Sequence, residues 1–136
     1  MISKDKSNYK KGKSLVKKEV SDQVVSALRK VVNTNEGTAK FANVPNFEIG
    51  GKTGTADKVL NGEYSEGKVN TFASILPTSS PQYVFIVMLD GPKKSKDYYY
   101  KYRHRDGGWK GTLKNSAGWT SVEVVGKVID LSLIHI

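Results

Sequence analysis

The sequence predicts an α+β fold, an antiparallel sheet of three strands flanked by helices, and three observations lead there. Apolar residues recur at helical spacing over 24–32 and again over 124–129. Between them lie β-prone segments ending near Ala56, Leu76 and Leu89. The turn signal Asn61-Gly62 and the Pro77-Thr78-Ser79-Ser80-Pro81 break separate these segments, as in a meander. With 136 residues and 15.0 kDa there is room for one domain around one core.

Each element has a local reason. Residues 1–18, with seven lysines against Asp5, lack an apolar period and read as a basic tail or loop. Ser21 suits an N-cap, with Asp22 in the first turn. Val24, Val25, Ala27, Leu28, Val31 and Val32 then form one apolar face, and Arg29 and Lys30 complement the helix C-terminus. The helix is expected to stop between Asn33 and Gly37. Phe47 to Ala56 alternates like a strand but holds three glycines, and Val69 to Leu76 alternates as a second strand. The continuous apolar run Tyr83 to Leu89 predicts a strand buried on both faces, ended by Asp90-Gly91-Pro92. Residues 93–118 read as a long polar, aromatic loop. Thr120 and Glu123 form a capping-box pattern before a last helix whose apolar side includes Val124, Val125, Val128 and Ile129.

Composition removes several functional classes. Hydrophobic residues are 38% and charged residues 26%, an ordinary globular balance. The longest apolar run, seven residues, falls far short of the roughly 20 of a membrane-spanning helix, and no signal-peptide pattern opens the chain. Absence of cysteine excludes disulfides, thiolate catalysis and Cys-based zinc sites. His104 and His135 lie in separate segments without ligand spacing, so neither a metal nor another cofactor is expected.

The net charge of +9 is concentrated: residues 1–18 carry +6, residues 93–105 carry +5, and everything else sums to −2. The basic loop contains Tyr98, Tyr99, Tyr100 and Tyr102, which could stack bases, but no RNA-binding sheet signature or recognition helix accompanies it. No nucleic-acid partner is expected, and a solvated basic surface explains the charge. Trp109 and Trp119 read as packing residues. Asp57, Glu63 and Glu66 flank a turn and are assigned no chemistry.

The chemistry concentrates in Gly50-Gly51-Lys52-Thr53-Gly54-Thr55-Ala56. A phosphate-binding loop ending in Gly51-Lys52-Thr53 would need glycine at position 46, where Asn46 stands, and a helix after Thr55, where no helical period follows. As a strand, the segment puts Lys52 and Gly54 on one face and Thr53 and Thr55 on the other. The glycines leave the lysine face bare, so a substrate can approach the backbone or pair with it as an added strand. Lys52 offers a cation and the threonines offer hydroxyls, a set suited to a carboxylate. A strand N–H can also serve an oxyanion hole.

Gly51-Lys52-Thr53-Gly54-Thr55-Ala56 resembles the third active-site motif of the penicillin-binding proteins, serine D,D-transpeptidases that cross-link peptidoglycan. Glu36-Gly37-Thr38-Ala39, Phe72 to Pro77, Pro81-Gln82-Tyr83 and Asn115-Ser116-Ala117-Gly118-Trp119 resemble the C-terminal part of the class B, cell-division members, with a proteobacterial cast. The likeness covers about residues 14–130. It implies the C-terminal part of a domain of the penicillin-binding protein and serine β-lactamase type. It also implies a septal, inner-membrane parent acting at the periplasmic face, with peptidoglycan stem peptides and β-lactam antibiotics as ligands and divisome membrane proteins as partners. Lys52 would organise the proton network and attract the ligand carboxylate. Thr53 and Thr55 would hydrogen-bond that carboxylate, the Thr55 N–H would share the oxyanion hole, and Gly54 would keep the cleft open.

The family also uses a nucleophile motif Ser-x-x-Lys and a second motif Ser-x-Asn. Ser3 with Lys6 and Ser14 with Lys17 match the first only in letters, too close to Lys52, and no Ser-x-Asn lies between Ser14 and Lys52. The chain is therefore expected to carry one side of a cleft without the nucleophile, and to be inactive by itself. Leu131-Ser132-Leu133-Ile134-His135-Ile136 looks like a translated sequencing adapter, which would leave a tail at 1–18, a partial transpeptidase domain at 19–130 and a scar at 131–136. The alternative is a non-catalytic module that binds peptides or anionic polymers.

Overall fold

The computed structural model of the chain describes residues 12–93, 96–97, 99–101, 108–110 and 115–132. Helix α1 spans Lys18–Asn33, and strands β1 (Gly50–Leu60), β2 (Glu63–Leu76) and β3 (Tyr83–Asp90) follow. Two short strands, β4 (Tyr99–Lys101) and β5 (Gly108–Lys110), pair as a separate hairpin, and helix α2 covers Ser121–Ser132. Single 3₁₀ turns occupy Lys40–Ala42 and Ala117–Trp119. The main sheet is antiparallel in the order β1-β2-β3, the meander expected of an α+β chain. Asn61 and Gly62, both at positive φ (52° and 86°), form the two-residue turn between the paired ends Leu60 and Glu63. This is the turn geometry that fits the strand twist.

Alternation along the strands decides what is buried. Thr53, Phe72 and Val87 share one row across the sheet, and Gly51, Ser74 and Phe85 the next on the same face. On this face Phe72 is fully buried and joins Val32 of α1, Phe41, Val44, Ile49, and Val122, Val125 and Ile129 of α2 in one core. Both helices contribute to a single apolar cluster, α1 through Val32 and α2 through Val122, Val125 and Ile129, while Val24, Val124 and Val128 of the faces expected from helical spacing stay exposed.

Three expectations are corrected. Helix α1 begins at Lys18 rather than being capped by Ser21. Lys17 is the extended N-cap and makes no side-chain cap bond, while Lys18 Nζ reaches Asp22 Oδ2 at 2.5 Å across one turn. Strand β3 is not buried on both faces: its burial alternates, with Val84, Ile86 and Met88 at 70%, 59% and 66% exposure. It pairs only with β2, and α2 covers only the face that carries Phe85 and Val87. At the second helix, the Thr120 hydroxyl donates to the Ser116 carbonyl at 3.0 Å, and the Thr120 carbonyl accepts the Val124 N–H. Glu123 sits buried in the first turn of α2, where burial pushes its carboxyl up to about 7, with Lys127 Nζ at 3.4 Å.

Ser3, Lys6, Tyr98, Tyr102, His104 and residues 133–136 lie outside the described residues. Helix α2 runs through Leu131 and Ser132, into the segment read as a scar.

Candidate functional site

Strand β1 is an edge of the sheet, so one side of its backbone has no strand beside it among the described residues. The Lys-Thr-Gly-Thr segment lies in its N-terminal half. Lys52 and Gly54 fall on one face and Thr53 and Thr55 on the other, with Thr53 opposite Phe72 and Thr55 opposite Asn70. Lys52 is exposed, and its Nζ donates to the Thr53 carbonyl at 2.8 Å.

The threonine face opens into a cavity of about 360 Å³ whose lining includes Glu36, Thr38, Lys40, Phe41, Thr53, Thr55, Ser116 and Trp119. Lys52 is not part of this lining. The structure therefore brings Thr53 and Thr55 together with groups from two distant segments and sets Lys52 on the opposite face of the strand. Thr38 Oγ1 and Thr53 Oγ1 share a hydrogen bond at 3.1 Å. The Ala117 N–H donates to Thr55 Oγ1 at 2.9 Å. The Phe41 and Trp119 rings meet edge to face, 5.3 Å between centroids, and form the apolar wall.

Local sequence explains how these segments arrive. After α1 the chain doubles back, and the Ala39 N–H donates to the Val31 carbonyl at 3.0 Å, which delivers Thr38 to β1. A Cβ on Gly118 would lie 2.6 Å from the Thr38 carbonyl oxygen, so only glycine lets the Ala117–Trp119 turn close over this segment. Gly54 differs: a Cβ there would make only ordinary contacts with Thr71, at 3.8 and 3.9 Å. Packing does not require glycine at 54, and its bare face is open to a ligand.

Behind this cavity is a short polar relay. Asn70, fully buried in β2, donates through Nδ2 to Asn115 Oδ1 at 2.8 Å, and Asn115 Nδ2 donates to the Pro92 carbonyl at 3.1 Å. Asn70 Oδ1 is the one buried side-chain polar atom among the described residues for which the structure gives no partner. A second groove, about 580 Å³, runs along α1, and its lining includes Asp22, Arg29, Lys30 and Glu48. Arg29 Nη1 donates to the Ile49 carbonyl at 2.8 Å, and the Ser79 hydroxyl and N–H hold the Glu48 carboxylate below its ordinary range. Among the described residues there is no cluster of three or more His, Cys, Asp or Glu able to hold a metal, and no helix is long and apolar enough to cross a membrane.

Sequence reasoning singled out Lys52, Thr53, Gly54 and Thr55 but gave no site role to Thr38, Lys40, Phe41, Asn70, Asn115, Ser116 or Trp119. The only available signal was that the Glu36–Ala39 and Asn115–Trp119 segments shared the resemblance carried by the Lys-Thr-Gly motif.

The family model of the penicillin binding protein transpeptidase domain matches residues 1–106, more than three quarters of the 136 residues, and the chain belongs to this family. It is similar to the stage V sporulation protein D of Bacillus subtilis, 40% identical over 82 residues that cover 60% of this chain and 12% of that protein. It is also similar to a peptidoglycan D,D-transpeptidase FtsI homolog of Chlorokybus atmophyticus, 40% identical over 76 residues, 54% of this chain and 11% of that protein. Among solved structures, the transpeptidase domain of Burkholderia pseudomallei penicillin-binding protein 3 superposes with a TM-score of 0.61 at 24% identity. The match covers 86% of this chain and 30% of that one, and it shows the shared fold. The chain thus spans between 11% and 22% of the length of the curated relatives it matches.

Proposed function

We propose that this chain forms the carboxylate-binding side of a peptidoglycan D,D-transpeptidase cleft, which works with a serine nucleophile supplied from outside these residues. The observation that carries the reading is the Lys-Thr-Gly-Thr edge strand with both threonine hydroxyls turned into one cavity. A carboxylate there accepts hydrogen bonds from Thr53 and Thr55, and bonds to a charged acceptor are about twice as strong as neutral ones. Lys52, on the face left bare by Gly54, serves the proton network of the acylated serine, and the Thr55 N–H contributes to the oxyanion hole. The ligands are the peptidoglycan stem peptide and β-lactam antibiotics. The parent belongs at the periplasmic face of the bacterial inner membrane, with divisome membrane proteins as partners.

Covalent labelling by a fluorescent penicillin tests this in a transpeptidase that carries the segment together with its serine. Lys52→Ala is expected to abolish labelling. Thr53→Val and Thr55→Val each lose a hydrogen bond to a charged group and are expected to slow acylation about 10–100-fold. The 136-residue chain by itself is expected to take no label. Unimpaired acylation of Lys52→Ala, or labelling of the isolated chain, would overturn the assignment.

A further inference from the structure

We propose that Asn70 and Asn115 act as a pair of positioning residues that make the Thr55 hydroxyl a hydrogen-bond donor toward the cavity; this rests on the carboxylate-binding role given to Thr55 above. The directions of the bonds are set from the far end of the relay. The Pro92 carbonyl can only accept, so Asn115 must turn Nδ2 toward it, at 3.1 Å, and Oδ1 toward Asn70. Asn70 must then present its own Nδ2, at 2.8 Å. Two amides 45 residues apart in sequence thereby join β2, the turn after β3 and the segment leading into the Ala117–Trp119 turn.

That segment is held from its other end as well. The Ser116 carbonyl accepts the Thr120 hydroxyl at 3.0 Å and the Trp119 N–H at 3.0 Å. Held on both sides, the Ala117 N–H is aimed at Thr55 Oγ1, 2.9 Å away. A threonine hydroxyl has one proton and two lone pairs. With an N–H filling one lone pair, its proton turns away from Ala117 toward the cavity, and the accepted bond polarises the O–H further. Asn70 stands directly opposite Thr55 in the strand register, so the relay begins beside the group it controls. Asn70 is also the largest fully buried polar side chain among the described residues, at a position where an apolar residue would fill the same core. The pair touches no ligand; it acts through the Ala117 N–H.

The test compares acylation by a penicillin with acylation by its neutral methyl ester, in a transpeptidase that contains this chain. A donor directed at the carboxylate matters for the acid and little for the ester. Asn115→Ala is expected to slow the acid about 10-fold or more and the ester less than about 3-fold. In a Thr55→Val background the same substitution should leave the acid-to-ester ratio unchanged. Asn115→Asp keeps the shape but loses the donor to Pro92, and it gives the same readout if Asn115→Ala does not fold. Equal loss for acid and ester, no loss at all, or a full further loss in the Thr55→Val background overturns the inference. Failure of the unsubstituted protein to acylate with either compound sinks the functional reading itself, and so is told apart from a result confined to the variants.

Discussion

Two neighbouring rows across the same sheet, Thr53–Phe72–Val87 and Lys52–Ala73–Ile86, differ by one residue of register and have opposite fates. In the first row Phe72 is fully buried beneath α2, and at its edge the Thr53 hydroxyl faces the cavity. In the second, Lys52 is exposed and Ile86 is 59% exposed, and the adjoining Val84 and Met88 extend an apolar row on β3. No lysine or proline interrupts β3, and an open apolar strand of this kind is the surface that soluble sheets ordinarily blunt. The threonine side of the site is built and supported within the chain, whereas on the lysine face α1 covers only the Gly50 end and the β3 residues stay exposed.

Phe72→Ala attacks the closed row at its centre and is expected to cost about 3–5 kcal/mol, read as a lower urea midpoint. A loss below about 1 kcal/mol would show that the closed face is not the core. Glu123, on the helix that covers this face, makes the closure pH-dependent. Its folded carboxyl is raised from 4.5 to about 7, so the folded state holds an extra proton between those values. Its contribution is most favourable below the unfolded value and is lost as pH rises through the folded one, about 3 kcal/mol at most. Urea unfolding of the native chain and Glu123→Gln from pH 4 to 8 should show this slope in the native chain alone.

The glycines sharpen the comparison between rows. A Cβ on Gly51 would sit 2.6 Å from the Phe72 ring and the Ala73 carbonyl oxygen, so Gly51→Ala is expected to destabilise by about 1–3 kcal/mol. Gly54→Ala, on the open face, should change stability by less than about 0.5 kcal/mol while slowing acylation in a transpeptidase that carries the segment together with its serine. Equal stability losses would remove the distinction. The smallest effect is expected at Ile86→Lys, with stability within about 0.5 kcal/mol of the parent and reduced self-association by analytical ultracentrifugation. An unchanged association state would show that the β3 face does not drive it.

What was legible in the sequence is what neighbours in the chain decide. Lysine and threonine alternate on β1 because the strand period is two, and Asn61-Gly62 turns the hairpin because both residues accept positive φ. The apolar spacing marks α1 and α2 as helices but only part of the sides that pack: Val32, Val122, Val125 and Ile129 join the core, whereas Val24, Val124 and Val128 stay exposed. The start of α1 is not legible from a capping side chain at Ser21, because the helix continues back to Lys18 without one. The exposure of β3 is not legible in the sequence, because a continuous apolar run looks alike whether one face or both are covered.

By itself, the sequence determined the α+β order, the Lys-Thr-Gly-Thr strand and its two faces. Only the tertiary structure decided which face of β3 stays open, and that Thr38, Ala117, Asn70 and Asn115 support the motif. Thr38 and Ala117 bond to it from 15 and 62 residues away, and Asn70 meets Asn115 across 45. Local propensity acts over a few residues, and contacts at such separations form only where the packing of the sheet, the 3₁₀ turns and α2 brings the groups together.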